Sequence, residues 1–287
     1  MTDSANITIN GSNSTVIDNS RFEYRLKGNM TFNDMEIALA KGTVFHSFLN
    51  VSSSVFRNNT LQYTWPNGSG IDTYTINIDD GMYDIDTGID GCIRNQMTLN
   101  KTYLIDNTGE PVYYLNIRAN IIYYRCTLTS TPVPTTLPSG YTMPAGATWT
   151  LPTVAKTPQL VISGNNANTG KLIGFDVGSY PNVVQSSVFQ VNGSLVPQIN
   201  PQYEFNVCVS LVNLPYLNSI PDMIYNFTFT RPPGSQEPLV PYEKQFYSVT
   251  NGSYSEIIIT IKDQKGKPVL LRDPSSSFTL QLRKKRK

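Results

Sequence analysis

The stretch Phe32–Met97, FNDMEIALAKGTVFHSFLNVSSSVFRNNTLQYTWPNGSGIDTYTINIDDGMYDIDTGIDGCIRNQM, decides the fold. It reads as strand, loop, strand, hairpin, strand and helix. Leu61, Tyr63 and Trp65 alternate with Gln62 and Thr64, as a strand with one buried face does. Tyr74, Ile76 and Ile78 alternate with Thr75, Asn77 and Asp79 in the next. Pro66-Asn67-Gly68 turns the chain between them, and Ser69 and Gly70 predict a loop longer than two residues. After Asp80-Gly81 the period changes. Ile85, Ile89, Cys92, Ile93 and Met97 fall at helical spacing, and Asp84 stands where an N-cap belongs. Gly88 and Gly91 each weaken that helix by about 1 kcal/mol relative to alanine, so packing has to hold it.

Outward from this stretch the chain stays β. Phe22, Tyr24 and Leu26 alternate upstream. Downstream, Tyr113, Leu115 and Ile117 alternate, and Ile121–Leu128 is expected to form a strand. Gln159–Ser163 reads as a short strand and Gly170–Phe175 as a compact turn or helical piece. Glu204–Asn213 predicts a strand with Phe205, Val207, Val209 and Leu211 on one face, followed by one carrying Met223, Tyr225, Phe227 and Phe229. Tyr254–Lys262 and Ser277–Arg283 are strands separated by the turn-forming Asp263–Pro268. Between Thr129 and Pro158 stand Pro132, Pro134, Pro138, Pro144, Pro152 and Pro158, too many for a regular ladder because each removes a donor. We read residues 129–158 as an ordered crossing, anchored by Tyr141, Trp149 and Leu151, rather than a linker. Residues 1–20 are small and polar and read as a flexible arm. The expectation is an all-β chain: a single jelly-roll β-sandwich over 21–283, with long loops, one short helix and a basic tail at 284–287. No internal repeat is visible.

The chain resembles a known family along most of its length. The resemblance is carried by EIALAKGTVFHSFLNV, NNTLQYTW, YTINIDDGMYDI, the short helix and PVYYLNI. It continues through PTTLPSGYTMPAG, TPQLVIS, GKLIGF and the closing SEIIITIKDQKGKPVLLRDPSSSFTLQL. In this order they are similar to the penton, or minor capsid, proteins of virophages and Polinton-like viruses. The resemblance implies a structural protein at the five-fold vertices of an icosahedral virion assembled inside the host cell. Its implied partners are further copies in a pentamer and the capsomers of the major capsid protein. Two other functions stay open: a major capsid subunit of the same lineage, which implies two jelly rolls per chain, and a carbohydrate-binding β-sandwich module.

Composition agrees with assembly. Charged residues make up 15% of the chain, with net charge +1, against roughly 25% in ordinary soluble proteins. Little repulsion then separates copies. Tyr (17) and Phe (12) suit both pleated surfaces and interfaces. Cys92, Cys126 and Cys208 are an odd, scattered set, read as reduced thiols. No apolar run reaches the roughly 20 residues of a membrane span. No signal-like segment opens the chain, so the Asn-x-Ser/Thr triplets from Asn6 to Asn251 are read as unglycosylated.

Sites of chemistry are few. Asp79, Asp80, Asp84, Asp86 and Asp90 invite a calcium loop, but Ile89 stands where that loop needs glycine and Asn95 where it needs glutamate. A turn and a capped helix explain these carboxylates. His46 is the single histidine, beside Phe45 and Phe48, without a G-x-S-x-G elbow or a second metal ligand. No phosphate-binding glycine motif occurs. We expect no catalysis, no metal and no cofactor. The one charge run is Arg283, Lys284, Lys285, Arg286 and Lys287, which either neutralises phosphates of packaged DNA, serves as an import-like patch, or solubilises the last strand.

Overall fold

Strand after strand follows in the computed structural model, which describes residues 4–214 and 220–285. The chain divides into two compact units, Met1–Leu49 with Gln202–Lys287, and Asn50–Pro201. The first unit opens with β1 (Ser4–Asn10), β2 (Thr15–Ile17), β3 (Arg21–Phe32) and β4 (Met35–Phe45). The second begins with β5 (Thr60–Asn67), β6 (Gly70–Asn77) and a π-helical turn at Ile85–Ile89 that runs into α1 (Asp90–Leu99). It continues through β7 (Leu104–Ile105), β8 (Pro111–Val112), β9 (Leu115–Asn120), β10 (Arg125–Ser130) and β11 (Gln159–Ile162). It closes with α2 (Ala167–Ile173), β12 (Gly178–Tyr180) and β13 (Phe189–Asn192). The chain then returns to the first unit with β14 (Phe205–Val209), β15 (Met223–Phe227) and β16 (Gln236–Leu239). Last come β17 (Tyr247–Ser248), β18 (Gly252–Asp263) and β19 (Ser277–Lys284).

Strand order in the first unit names its architecture. One sheet runs β1-β19-β4-β16, with β17 also on β4, and the other runs β15-β14-β18-β3-β2. Setting aside the short β2 and β17, eight strands remain. In chain order the first sheet is first, eighth, third, sixth, and the second is fifth, fourth, seventh, second. Two four-stranded antiparallel sheets interleaved this way form a jelly roll. Alternation builds the core between them. Phe22 of β3 meets Phe278 of β19 edge-on, with ring centroids 5.6 Å apart. Ile257, Ile259 and Ile261 of β18 are buried in one sheet, as are Ile37, Leu280 and Leu282 in the other.

Three expectations differ here. The stretch read as a flexible arm supplies β1, paired with β19 from Ser4↔Arg283 to Asn10↔Ser277, and β2, paired with β3. Ile9 is fully buried; the short alternation Ala5, Ile7, Ile9 is the signal, hidden by its Asn and Thr neighbours. The sandwich is also built from the two ends of the chain, not from one continuous 21–283 domain. Asn50–Pro201, inserted between β4 and β14, is a unit of its own. Periodicity marks strands but not the sheet that each one joins, so no local signal reports that division. Finally, β14 does not alternate: all five of its residues are buried. It lies between β15 and β18, and Asn206 satisfies its amide by donating to the Asp263 carbonyl (3.3 Å).

The second unit confirms the opening stretch. Leu61, Tyr63, Trp65 and Ile76 are fully buried, and β5 pairs with β6 from Thr60↔Asn77 to Asn67↔Gly70. The loop is therefore two residues, Gly68-Ser69, shorter than expected. Gly68 takes φ 54°, as a tight hairpin turn requires of its first residue. Asp84 caps the helical segment by accepting from the Thr87 and Gly88 amides, and Ile89, Ile93 and Met97 are fully buried. Gly88 is there for space: a Cβ would lie 2.9 Å from Tyr83 Cβ. A second short helix, α2, follows β11 where a compact turn or helical piece was expected. The sheets are β12-β11-β5-β6 and β13-β10-β9, with a small β7-β8 pair.

The Pro-rich crossing lies wholly inside this unit and is tied down. Trp149 stacks edge-on to Trp65 at 5.1 Å and donates its indole N–H to the Lys101 carbonyl (2.6 Å). Val133 bridges to Lys156, and Thr142 to Ile105. Ser130 Oγ donates to the Pro158 carbonyl (2.6 Å). The segment Ile121–Leu128 departs from the expected strand: β10 starts only at Arg125, and 121–124 form the turn.

Candidate interaction surfaces

The basic run begins inside the ladder. Arg283 Nε lies 3.0 Å from Glu36 Oε2, and its guanidinium stacks 3.4 Å from the centroid of the Phe246 ring. A planar cation held by a carboxylate and a ring face is committed to the fold. Lys284 is the last residue of β19 and is exposed; Lys285 is exposed and donates its backbone N–H to the Asp34 carbonyl (2.8 Å). Arg286 and Lys287 lie outside the described residues. Of the five expected nucleic-acid residues, Arg283 is engaged by Glu36 and Phe246, and Lys284 and Lys285 are presented to solvent. Sequence reasoning missed this because Glu36 and Phe246 are distant in the chain.

Four of the five aspartates accept from backbone amides, and Asp79 is exposed. Asp84 is the helix cap, and its hydrogen bonds, first that of Thr87, hold its pKa below the usual carboxylate value. Asp86 accepts from the Ala119 amide (2.7 Å), and Asp90 accepts from the Ile117 amide (2.8 Å). Asp90 Oδ2 also faces Arg94 Nε at 2.7 Å. The cluster thus anchors the helical segment to β9. Asp80 accepts from the Ser53 amide (2.7 Å). Among the described residues no group of three potential ligands converges on one point.

His46 is packed rather than presented. Its ring lies against Phe48 (4.8 Å) and Phe229 (4.5 Å), which also meet each other at 5.5 Å, and Nδ1 donates to the Arg231 carbonyl (2.6 Å). The three cysteines are free thiols, Cys126 and Cys208 buried and Cys92 half-buried. Burial pushes the Cys126 thiol up to about 12 and raises that of Cys208 as well. Thiols held protonated in this way are poor nucleophiles.

What the molecule does present is two grooves with one charged residue each in their linings, Glu243 in the first and Arg125 in the second. In the first unit a groove of about 420 Å³ opens beside β15, lined by Leu39, Tyr225, Asn226, Tyr242, Glu243 and Tyr247 among others. In the second, the turn Ile121–Tyr124 stands in solvent next to an apolar groove of about 260 Å³. No pattern of alternation announces either, because both arise where the pattern breaks.

Solved structures similar to this chain include the following two. One is the crystal structure of the mavirus penton protein, 9% identical over 98% of each chain, with a TM-score of 0.46. The other is a chain of the Sputnik virophage solved by cryo-EM, 10% identical over 99% of each chain, with a TM-score of 0.42. At these values neither likeness carries weight, and the fold rests on strand order. No protein-family model matches the chain, and no curated protein matches it.

Proposed function

We propose that this chain is a structural capsid protein of the penton type, closing the five-fold vertices of an icosahedral shell. The observation that carries the reading is the jelly roll formed by both ends of the chain. That architecture is used by viral capsid, lectin and cupin domains, and the sequence resemblance selects the first of these. The low charge of the chain and the sparsely charged grooves of both units support repeated contact between copies. The contacts of a ring are heterologous, one face of a subunit meeting a different face of the next. Its other partners are the major capsid capsomers, its place is the virion, and its role is geometric rather than catalytic.

A major capsid subunit of this lineage is less well supported. That role implies two jelly rolls per chain, whereas Asn50–Pro201 forms a four-stranded and a three-stranded sheet of different order. A carbohydrate-binding module is favoured by one feature, the groove walled by Tyr225, Tyr242 and Tyr247, since aromatic faces and planar polar groups suit sugars. Co-expression with the major capsid protein, followed by cryo-EM of the shells, tests the penton reading. Density for this chain is expected at the five-fold vertices alone. Shells that close without it, or that carry it at the three-fold capsomers, overturn the reading.

A further inference from the structure

The hairpin joining β9 to β10 ends in Ile121, Ile122, Tyr123 and Tyr124, which are 81%, 79%, 64% and 76% exposed. Folding alone does not favour such a turn, because polar residues and glycine close hairpins with less apolar exposure. Tyr124 even adopts φ 50°, a left-handed conformation that a bulky residue takes up only with strain. Behind the tip lies the groove of about 260 Å³, walled by Ile121, Tyr124, Cys126, Val196, Pro197 and Ile199. Val196 is 59% exposed, so tip and groove form one apolar patch, of the kind that marks an interaction site.

The hairpin itself carries only positive charge. The chain holds no Asp or Glu between Glu110 and Asp176. Arg118 and Arg125 flank the turn, and the register Arg125↔Asn120 and Thr127↔Arg118 puts them on one face of the hairpin. Two acids approach from the helical segment: Asp86, engaged by the Ala119 amide, and Asp90, which is 3.7 Å from Arg118 but closer to Arg94. Arg125 makes no ion pair among the described residues.

We propose that this tip is a membrane-docking loop that inserts into an anionic lipid bilayer. Ile121 and Ile122 enter the hydrocarbon edge, Tyr123 and Tyr124 lie at headgroup level, and Arg125 meets the lipid phosphates. A convex tip whose only side-chain hydrogen-bonding groups are two tyrosine hydroxyls suits a bilayer, which demands apolar depth and no directional partner. Surface insertion of this kind is separate from spanning: no helix among the described residues is long and apolar enough to cross a membrane. The inference does not depend on the capsid reading.

The test is flotation of the full chain with phosphatidylcholine vesicles, with and without phosphatidylserine, at low and high salt. The chain should float with the anionic vesicles, and Ile121→Asp with Ile122→Asp should reduce the bound fraction at least tenfold. Arg125→Gln should weaken the phosphatidylserine dependence. Both native indoles, Trp65 and Trp149, are buried, so the emission of an Ile122→Trp variant reports the tip and should shift to the blue on vesicles. Absence of flotation, equal flotation of the double variant, or an unshifted Ile122→Trp spectrum overturns the proposal. So does a double variant that dissolves an oligomer in sedimentation while neither form floats, which assigns the patch to copy–copy contact.

Discussion

At the scale of single residues, Trp149 shows how the crossing without regular pairing is held. Its ring fills the space beside Trp65 and its indole N–H is satisfied by the Lys101 carbonyl. Trp149→Ala removes both and leaves a cavity, so a loss of about 3–5 kcal/mol is expected in urea unfolding. A loss below about 1 kcal/mol would mean the crossing is held elsewhere. Asp84 makes a pH-dependent contribution. Its folded pKa lies below the ordinary aspartate value, so its stabilisation is present above the unfolded pKa and is lost as pH falls through the folded one. Asp84→Asn keeps a capping oxygen without the charge. Wild type should therefore lose its advantage over the variant on acidification below about pH 4. Parallel pH profiles for the two proteins would contradict the cap as the source of that dependence.

At the scale of elements, legibility in the sequence follows periodicity. The hairpin of β5 and β6, the capped helix and the long strands β18 and β19 are readable because apolar residues repeat at two or at 3.6 residues over many positions. β1 is not, since only Ala5, Ile7 and Ile9 alternate among Asn, Ser and Thr. The turn at Ile121–Tyr124 reads as strand because local sequence cannot distinguish apolar residues buried in a sheet from apolar residues displayed. Arg283 reads as free charge because its partners Glu36 and Phe246 lie far along the chain. Two truncations follow from these placements. Removing residues 1–10 takes away β1 and bares the edge of β19, so the product should lose stability and scatter light as it aggregates. A truncated protein as stable and soluble as the full chain would restore the flexible-arm reading. Removing Lys284–Lys287 takes away the end of the β19 ladder and the Lys285 amide bond to Asp34 but no buried side chain, so it should cost only about 1 kcal/mol in unfolding. If the tail meets DNA, the truncation should lower the log–log salt slope of binding by about 0.9 for each phosphate that the tail neutralises. Equal slopes reduce the tail to a solubilising end.

At the scale of the whole molecule, the division into two units is the feature least visible in the sequence. Neither Asn50 nor Pro201 coincides with a charge run or a change of composition, and the Pro-rich segment that looks like a boundary lies inside one unit. The jelly roll depends on strands from both ends of the chain, a long-range topology that strand prediction alone leaves open. On the proposed reading, five copies of this jelly roll meet in a ring. Native mass spectrometry of the purified full chain, alone and with the major capsid protein supplied, puts that ring to the test. A closed species of five 32.0 kDa chains is expected; a stable trimer, or a monomer that stays out of the shells, would contradict the penton reading.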